Sequence, residues 1–96
     1  MTYEDLLAAL EEFDLPSRAT LQEIRERHRT LVRQHHPDRT ATADTERISR
    51  INAAYAVLTA YISEYRFDFS RVTFLEQYPE ERLKEQFSDV GLWGGR

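Results

Sequence analysis

Proline at position 37 separates two stretches of helical periodicity, and no other feature of this 96-residue chain constrains its fold as strongly. Apolar residues recur at spacings of three and four from Leu21 to Val32, and again from Ile48 to about residue 65. Because proline interrupts the hydrogen bonding of a helix, the first of these patterns is expected to end at about His35. Two long amphipathic helices joined by a short loop are expected to pack antiparallel as a hairpin.

A shorter helix is predicted ahead of the hairpin. Its apolar stripe runs from Tyr3 to Phe13, Thr2 can cap its start, and Pro16 disfavours helix at the residue before it. This helix should therefore end near Asp14 and lie across the base of the hairpin, where it closes the core. The sequence thus predicts an all-α fold, with an antiparallel hairpin, a short N-terminal helix and a short C-terminal helical segment.

The two helices of the hairpin carry further boundary signals. Thr20 followed by Glu23 predicts a capping box, in which each side chain binds a free backbone N–H group of the first turn. Residues 36–44 are predicted to form a polar loop, after which Thr42 or Asp44 caps the third helix.

The pattern is less regular after the third helix. Phe67 and Phe69 could fold back on the core, and Thr73 with Glu76 offers a possible helix cap. Pro79 fits the first turn of a short helix that follows it.

These features predict two parts, a domain over residues 1–69 and a helical extension over residues 70–96. The final helix of the extension is expected over 80–87. The extension either packs on the domain or trails from it, and both arrangements stay open at this point.

The composition excludes several classes of chemistry. With no cysteine, the chain can hold no disulfide, no thiolate zinc site, no iron–sulfur cluster and no cysteine nucleophile. No apolar run approaches the roughly 20 residues that span a bilayer, and no apolar segment follows a basic start. We expect no signal peptide, no membrane anchor and no cofactor, and we place the chain in the cytoplasm.

Charge is distributed unevenly along the chain, whose net charge is −4. Residues 1–14 carry five acids and no base, and residues 15–50 carry eight arginines against five acids. Within this basic middle, arginines follow one another at steps of four along one flank of the second helix, at Arg25, Arg29 and Arg33. A row of arginines suits directed pairing with the carboxylates of a partner.

The most unusual local string in the sequence, Gln34-His35-His36-Pro37-Asp38-Arg39, follows this arginine row. The third helix then carries Ile51-Asn52-Ala53-Ala54-Tyr55-Ala56-Val57-Leu58. A short first helix, a capped basic second helix, the His-Pro-Asp string and this third-helix sequence occur together in order. Over about residues 3–69 the chain resembles the J domain, the module of DnaJ-type co-chaperones.

The resemblance implies a partner and a set of contact residues. J domains bind the ATP-bound form of a DnaK-type heat-shock chaperone and stimulate its ATP hydrolysis. Arg25 and Arg29 match basic second-helix positions that meet an acidic surface on this ATPase. The other expected partner-binding residues are the signature loop His36, Pro37 and Asp38, then His28, where the family often has an aromatic residue, Arg33 in the same row, and Arg39 after the signature.

Two unrelated functions fit the residues less well. His28, His35, His36 and Asp38 are of metal-ligand types, but adjacent histidines diverge and no second carboxylate cluster accompanies them, so we expect neither an enzyme nor a metal site. An arginine-striped hairpin superficially resembles a helix-turn-helix. Its loop of about eight residues is too long for that motif, and the acidic flanking segments would repel phosphate. We expect no nucleic-acid binding.

The main alternative is a J-like adapter, which keeps the fold and binds a protein without stimulating an ATPase. The chain departs from typical members in having Phe13-Asp14-Leu15-Pro16 instead of a Leu-Gly turn. It also has Tyr61-Ile62-Ser63-Glu64-Tyr65-Arg66 in place of a basic fourth-helix motif. The sequence shows no recognisable client-binding module. We therefore expect a monomer that recruits the chaperone without holding a client itself. The residues point to no particular client.

Overall fold

Five helices make up the described part of the chain, residues 1–35 and 42–89 of a computed structural model. They are α1 (Tyr3–Phe13), α2 (Leu21–Gln34), α3 (Thr42–Ser63), α4 (Arg71–Gln77) and α5 (Pro79–Asp89). Within these ranges there is no strand, which confirms the all-α prediction, and no helix is long and apolar enough to cross a membrane. The chain divides into two compact units, one spanning Met1–Tyr65 and one that begins at Arg66.

The first two helices begin at the capping residues predicted from the sequence. The Thr2 hydroxyl accepts a hydrogen bond from the Asp5 backbone N–H at 3.1 Å, and the Asp5 carboxylate accepts one from the Thr2 N–H at 3.0 Å. Hydrogen bonds from Thr2 to the Asp5 carboxylate lower the pKa of Asp5, because they favour its charged form. Thr20 and Glu23 form the same reciprocal pair at the start of α2, at 3.1 and 2.6 Å.

The core of the first unit lies where α1 packs against α2 and α3, as predicted for a helix that closes a hairpin. Its buried residues are Ala9, Phe13, Ile24, Leu31, Ile51, Ala54 and Leu58. Glu12 forms ion pairs between α1 and α3. Its carboxylate lies 2.8 Å from Arg47 Nε and 3.7 Å from Arg50 Nε.

The third helix starts earlier than predicted. It already includes Thr42, so the prediction of a polar loop through residue 44, with Thr42 or Asp44 as the cap, was wrong. Acidic residues stabilise the positive N-terminal end of a helix dipole, and Asp44 and Glu46 both fall in the first turns of α3. The polar composition that indicated a loop is therefore equally compatible with a helix start.

In the second unit, Ser70 and not Thr73 caps α4. The Ser70 hydroxyl accepts from the Thr73 N–H at 3.3 Å, and the Thr73 hydroxyl donates to the Asp68 carboxylate at 2.8 Å. Asp68 also accepts from the Ser70 N–H at 2.9 Å, and these bonds lower its pKa. The Thr73–Glu76 spacing matches a capping box. The Thr73 hydroxyl instead binds Asp68, which lies three residues before the first residue of α4.

The remaining C-terminal predictions were partly right. Pro79 is the first residue of α5, as expected, and the helix continues to Asp89, two residues beyond the predicted end. Phe69 is 91% exposed and Phe67 is 65% exposed, so neither ring is buried. Their rings lie 6.4 Å apart, centroid to centroid, in the second unit.

Candidate partner-binding surface

Three arginines form an exposed row on α2, one helical turn apart, as the sequence predicted. Arg25, Arg29 and Arg33 are all exposed. Within residues 1–35 and 42–89, no acidic side chain forms an ion pair with any of them. Their charges are therefore available to a partner.

Four other arginines of the described chain have internal partners. Arg47 and Arg50 pair with Glu12, and Arg71 pairs with Glu85. On α2 itself, Arg27 donates to the Asp14 backbone carbonyl at 3.5 Å and so faces the end of α1.

The two flanks of α2 therefore differ. At 3.6 residues per turn, Arg27 projects about 160° from Arg25 and Arg29 on average. The Arg27 flank borders a shallow groove, also lined by Leu15, Pro16 and Ala19, between the α1–α2 connection and α2. Since α1 lies on that flank, the row of Arg25, Arg29 and Arg33 faces away from it.

His28 is the predicted contact residue that the structure turns inward. Its ring stacks on Tyr55 of α3, with centroids 3.9 Å apart and planes within 1° of parallel. Its Nε2–H donates to the Asn52 Oδ1 atom at 3.0 Å. The Phe13 ring lies parallel to both, at 6.1 Å from His28 and 6.2 Å from Tyr55. The half-buried imidazole thus joins α2 to α3.

Sequence reasoning did not identify the partners of His28. Tyr55 belongs to the apolar periodicity of the third helix and Asn52 to its family-like string, but neither was paired with His28. The available signal was their spacing of three on α3, which places an amide and an aromatic ring on one side of the helix. No pattern in α3 alone could pair that side with position 28 of α2.

The signature residues follow α2 directly. His35 is the C-cap of α2, and its N–H donates to the Leu31 carbonyl at 3.1 Å. His36, Pro37, Asp38 and Arg39, which complete the predicted contact set, lie outside the described residues. Among the residues that are described, no group of three or more histidine, cysteine, aspartate or glutamate side chains could hold a metal ion.

The DnaJ domain family model matches residues 11–68, more than half of the chain. The chain belongs to the DnaJ domain family. Members of this family, the J domains, act as co-chaperones that partner DnaK-type chaperones. The match includes the whole of α2 and α3, so the arginine row and the His28 contact both lie inside the J domain.

A curated relative extends the comparison beyond the J domain. The DnaJ-like protein MG002 homolog of Mycoplasma pneumoniae is 39% identical over 98 residues, which cover 84% of this chain and 29% of the relative. The chain thus spans less than a third of that relative's length. The family match ends at residue 68, but a region that covers 84% of the 96 residues must extend further along the chain. The similarity therefore continues past the family match and through α4. No solved structure matches the chain.

Proposed function

We propose that this protein is a cytoplasmic co-chaperone that binds the ATP-bound form of a DnaK-type heat-shock chaperone and stimulates its ATP hydrolysis. The observation that carries the proposal is the exposed row of Arg25, Arg29 and Arg33, which has no acidic partner in the described chain. The row leads along α2 to the helix end, where His36-Pro37-Asp38 follows in the sequence.

The arginine row would guide the encounter between the two proteins. Exposed charges at the rim of an interface raise the association rate and set its orientation more than they raise affinity. Salt screens such charges over about 8 Å at physiological ionic strength. We therefore expect a transient complex, whose formation is weakened by salt.

The His-Pro-Asp segment would supply specific contacts at the end of the row. Proline fixes its own backbone angle, so Pro37 limits the entropy that the segment loses on binding. The Asp38 carboxylate can accept two hydrogen bonds from one guanidinium group of the partner. His36 can donate or accept one hydrogen bond, and Arg39 adds a positive charge after the segment.

His28 contributes differently in this proposal. Because its ring is occupied by Tyr55 and Asn52, we assign it the role of positioning α2 against α3. The arginine row is then held at a fixed angle to α3.

Single-turnover ATP hydrolysis by a DnaK-type chaperone tests the proposal. The wild-type chain should accelerate hydrolysis, Asp38→Asn should abolish the acceleration, and Arg29→Ala should reduce it by roughly tenfold, the equivalent of about 1.4 kcal/mol. Arg66→Ala is the matched control, because it removes an exposed arginine outside the first unit and should leave the rate unchanged. Raising the salt concentration should reduce the acceleration of ATP hydrolysis by the wild-type chain more than the acceleration by Arg29→Ala.

A folded wild-type chain that binds a DnaK-type chaperone without accelerating hydrolysis would contradict the proposal. That result would favour the J-like adapter, for which the same contacts serve recruitment alone. Equal losses from Arg66→Ala and Arg29→Ala would show that total charge matters and that the α2 row does not.

A further inference from the structure

Asn52 of α3 is exposed, yet its side-chain amide has a fixed orientation. The Asn52 Oδ1 atom accepts a hydrogen bond of 3.0 Å from the His28 ring, which itself stacks on Tyr55. A hydrogen bond to Oδ1 also sets the direction of the Nδ2 group, because both atoms belong to one planar amide. Among the residues that the structure describes, no atom accepts a hydrogen bond from Nδ2. The N–H donors of this amide are therefore held at the surface without a partner.

This amide lies on the open side of the interface between α2 and α3. Phe13 of α1 lies beside the rings of His28 and Tyr55 and is fully buried. Asn52 bonds to the same imidazole and is exposed. Helix α1 therefore covers this interface on the Phe13 side and leaves the Asn52 side open.

The amide is also level with the arginine row. At a rise of about 1.5 Å per residue, His28 lies about 4.5 Å from Arg25 and about 1.5 Å from Arg29 along the axis of α2. Around that axis, Arg25 projects only about 60° from His28. The hydrogen bond from His28 thus places Asn52 beside the first two arginines of the row, on the neighbouring helix.

We propose that Asn52 extends the partner-binding surface from α2 onto α3 and donates a hydrogen bond through Nδ2 to a carboxylate of the DnaK-type chaperone. The inference rests on the proposed function, in which the arginine row brings an acidic surface of the chaperone to this side of the molecule. Carboxylate oxygens accept hydrogen bonds from amide and guanidinium N–H groups alike. A carboxylate that meets the row can therefore also be bound by the amide beside it.

Asn52 contributes differently from the arginines in this proposal. An uncharged amide exerts no long-range attraction, so it does not guide the encounter, and its hydrogen bond forms only at short distance and in a defined direction. The bond should slow dissociation of the complex and depend little on salt, whereas salt screens the contribution of Arg29. Because His28 already holds the amide in place, little side-chain freedom is lost on binding.

Affinity of the full chain for an immobilised DnaK-type chaperone in ATP, measured by surface plasmon resonance, tests the proposal with Asn52→Asp. Aspartate keeps an oxygen that accepts from His28 but has no N–H donor. We expect the dissociation constant to rise roughly tenfold, the loss of one hydrogen bond to a charged group. The unfolding midpoint should be no lower than that of the wild type, since the bond from His28 is kept. Ala60→Asp is the matched control, because it adds the same charge to an exposed position further along α3 and should leave the dissociation constant nearly unchanged.

A second comparison separates a contact with the chaperone from a structural role. In the His28→Phe protein, the Asn52 amide has lost its bond to the imidazole. If Asn52 acted only by supporting His28, Asn52→Ala would then have no further effect on chaperone binding. We expect instead that Asn52→Ala in the His28→Phe background raises the dissociation constant by a further factor of about three.

Three results would overturn the inference while the proposed function stands. The first is an Asn52→Asp chain that binds the chaperone as tightly as the wild type. The second is an equal loss of affinity in Asn52→Asp and Ala60→Asp, which would assign the effect to charge alone. The third is an Asn52→Ala substitution without effect in the His28→Phe background.

The fate of the proposed function can be told apart from that of the inference. A wild-type chain that binds without accelerating ATP hydrolysis would contradict the proposed function alone, because the comparison of Asn52→Asp with Ala60→Asp depends only on binding. A folded wild-type chain that does not bind a DnaK-type chaperone would overturn both.

Discussion

The imidazole of His28 connects two helices with different parts of one ring. Its face lies 3.9 Å from the Tyr55 ring, centroid to centroid, while its edge donates from Nε2 to Asn52 at 3.0 Å. An aromatic hydrocarbon ring at this position could stack in the same way but could not donate the hydrogen bond. A histidine can therefore replace an aromatic residue here and also fix the angle between α2 and α3.

We predict that His28→Ala destabilises the first unit by about 1–2 kcal/mol, the sum of a net hydrogen bond and a ring contact. Urea or thermal unfolding followed by circular dichroism measures the loss. His28→Phe should recover part of it, because the stack remains while the hydrogen bond is lost. The neighbouring Arg29→Ala should change stability by less than about 0.5 kcal/mol. A His28→Ala protein as stable as the wild type would show that neither contact matters to folding.

At the scale of the helices, capping pairs determine where α1 and α2 begin. The α1 capping box includes a carboxylate, so the stability of this helix depends on pH. Hydrogen bonds from Thr2 lower the pKa of Asp5 in the folded protein from its ordinary value of 3.8. A carboxyl group with a lowered folded-state pKa stabilises the protein above its unfolded pKa. That contribution is lost as pH falls through the folded pKa.

We therefore predict that Asp5→Asn lowers the unfolding midpoint at neutral pH and that this deficit shrinks as the pH falls below about 4. Thermal unfolding of both proteins over a pH series measures the difference. Glu11→Gln is the control, since this exposed acid of α1 forms no ion pair within the described ranges. The Glu11→Gln protein should unfold close to the wild-type midpoint. If the unfolding midpoint of Asp5→Asn stays below that of the wild type by the same amount down to pH ~3, the charge of the capping carboxylate does not contribute to stability.

The helices that could be predicted from sequence are those whose signals are local. Thr20 and Glu23 mark the start of α2 because both partners of the capping box lie within one turn. The cap of α4 could not be identified in this way, because Asp68 lies before the helix and binds Thr73 as well as the Ser70 N–H. The contact of His28 with Asn52 spans 24 positions, so it depends on the register of α2 against α3.

The same distinction applies to the candidate site. The arginine row follows from helical spacing alone, and the structure confirms that Arg25, Arg29 and Arg33 are exposed on one helix. Whether an arginine is available depends on what lies opposite it in the folded chain. The sequence could not show that Glu12 engages Arg47 and Arg50, a pairing that joins the acidic first helix to the third.

In the molecule as a whole, acidic and basic residues are concentrated in different segments of the chain. One flank of α2, which carries the arginine row, therefore has no acidic partners among the described residues. Residues 1–14 contain five acids, and the structure directs one of them, Glu12, to the arginines of α3. The end of α1 lies at the Arg27 flank of α2, not at the flank that carries the arginine row. A positive surface therefore persists on a protein whose net charge is −4.

The two units differ in how much of their apolar surface is buried, which predicts the effect of removing the second. Every buried residue of the described chain lies between Ala9 and Leu58. A chain that ends at Phe69 should therefore still unfold cooperatively, with a midpoint within about 5 °C of the full chain. Phe13→Ala in the shortened chain removes a fully buried ring and should lower the free energy of unfolding by about 3–5 kcal/mol. This loss would confirm that the observed transition is the unfolding of this core. A fall of more than about 10 °C on truncation would instead mean that residues 70–96 complete the core of the first unit.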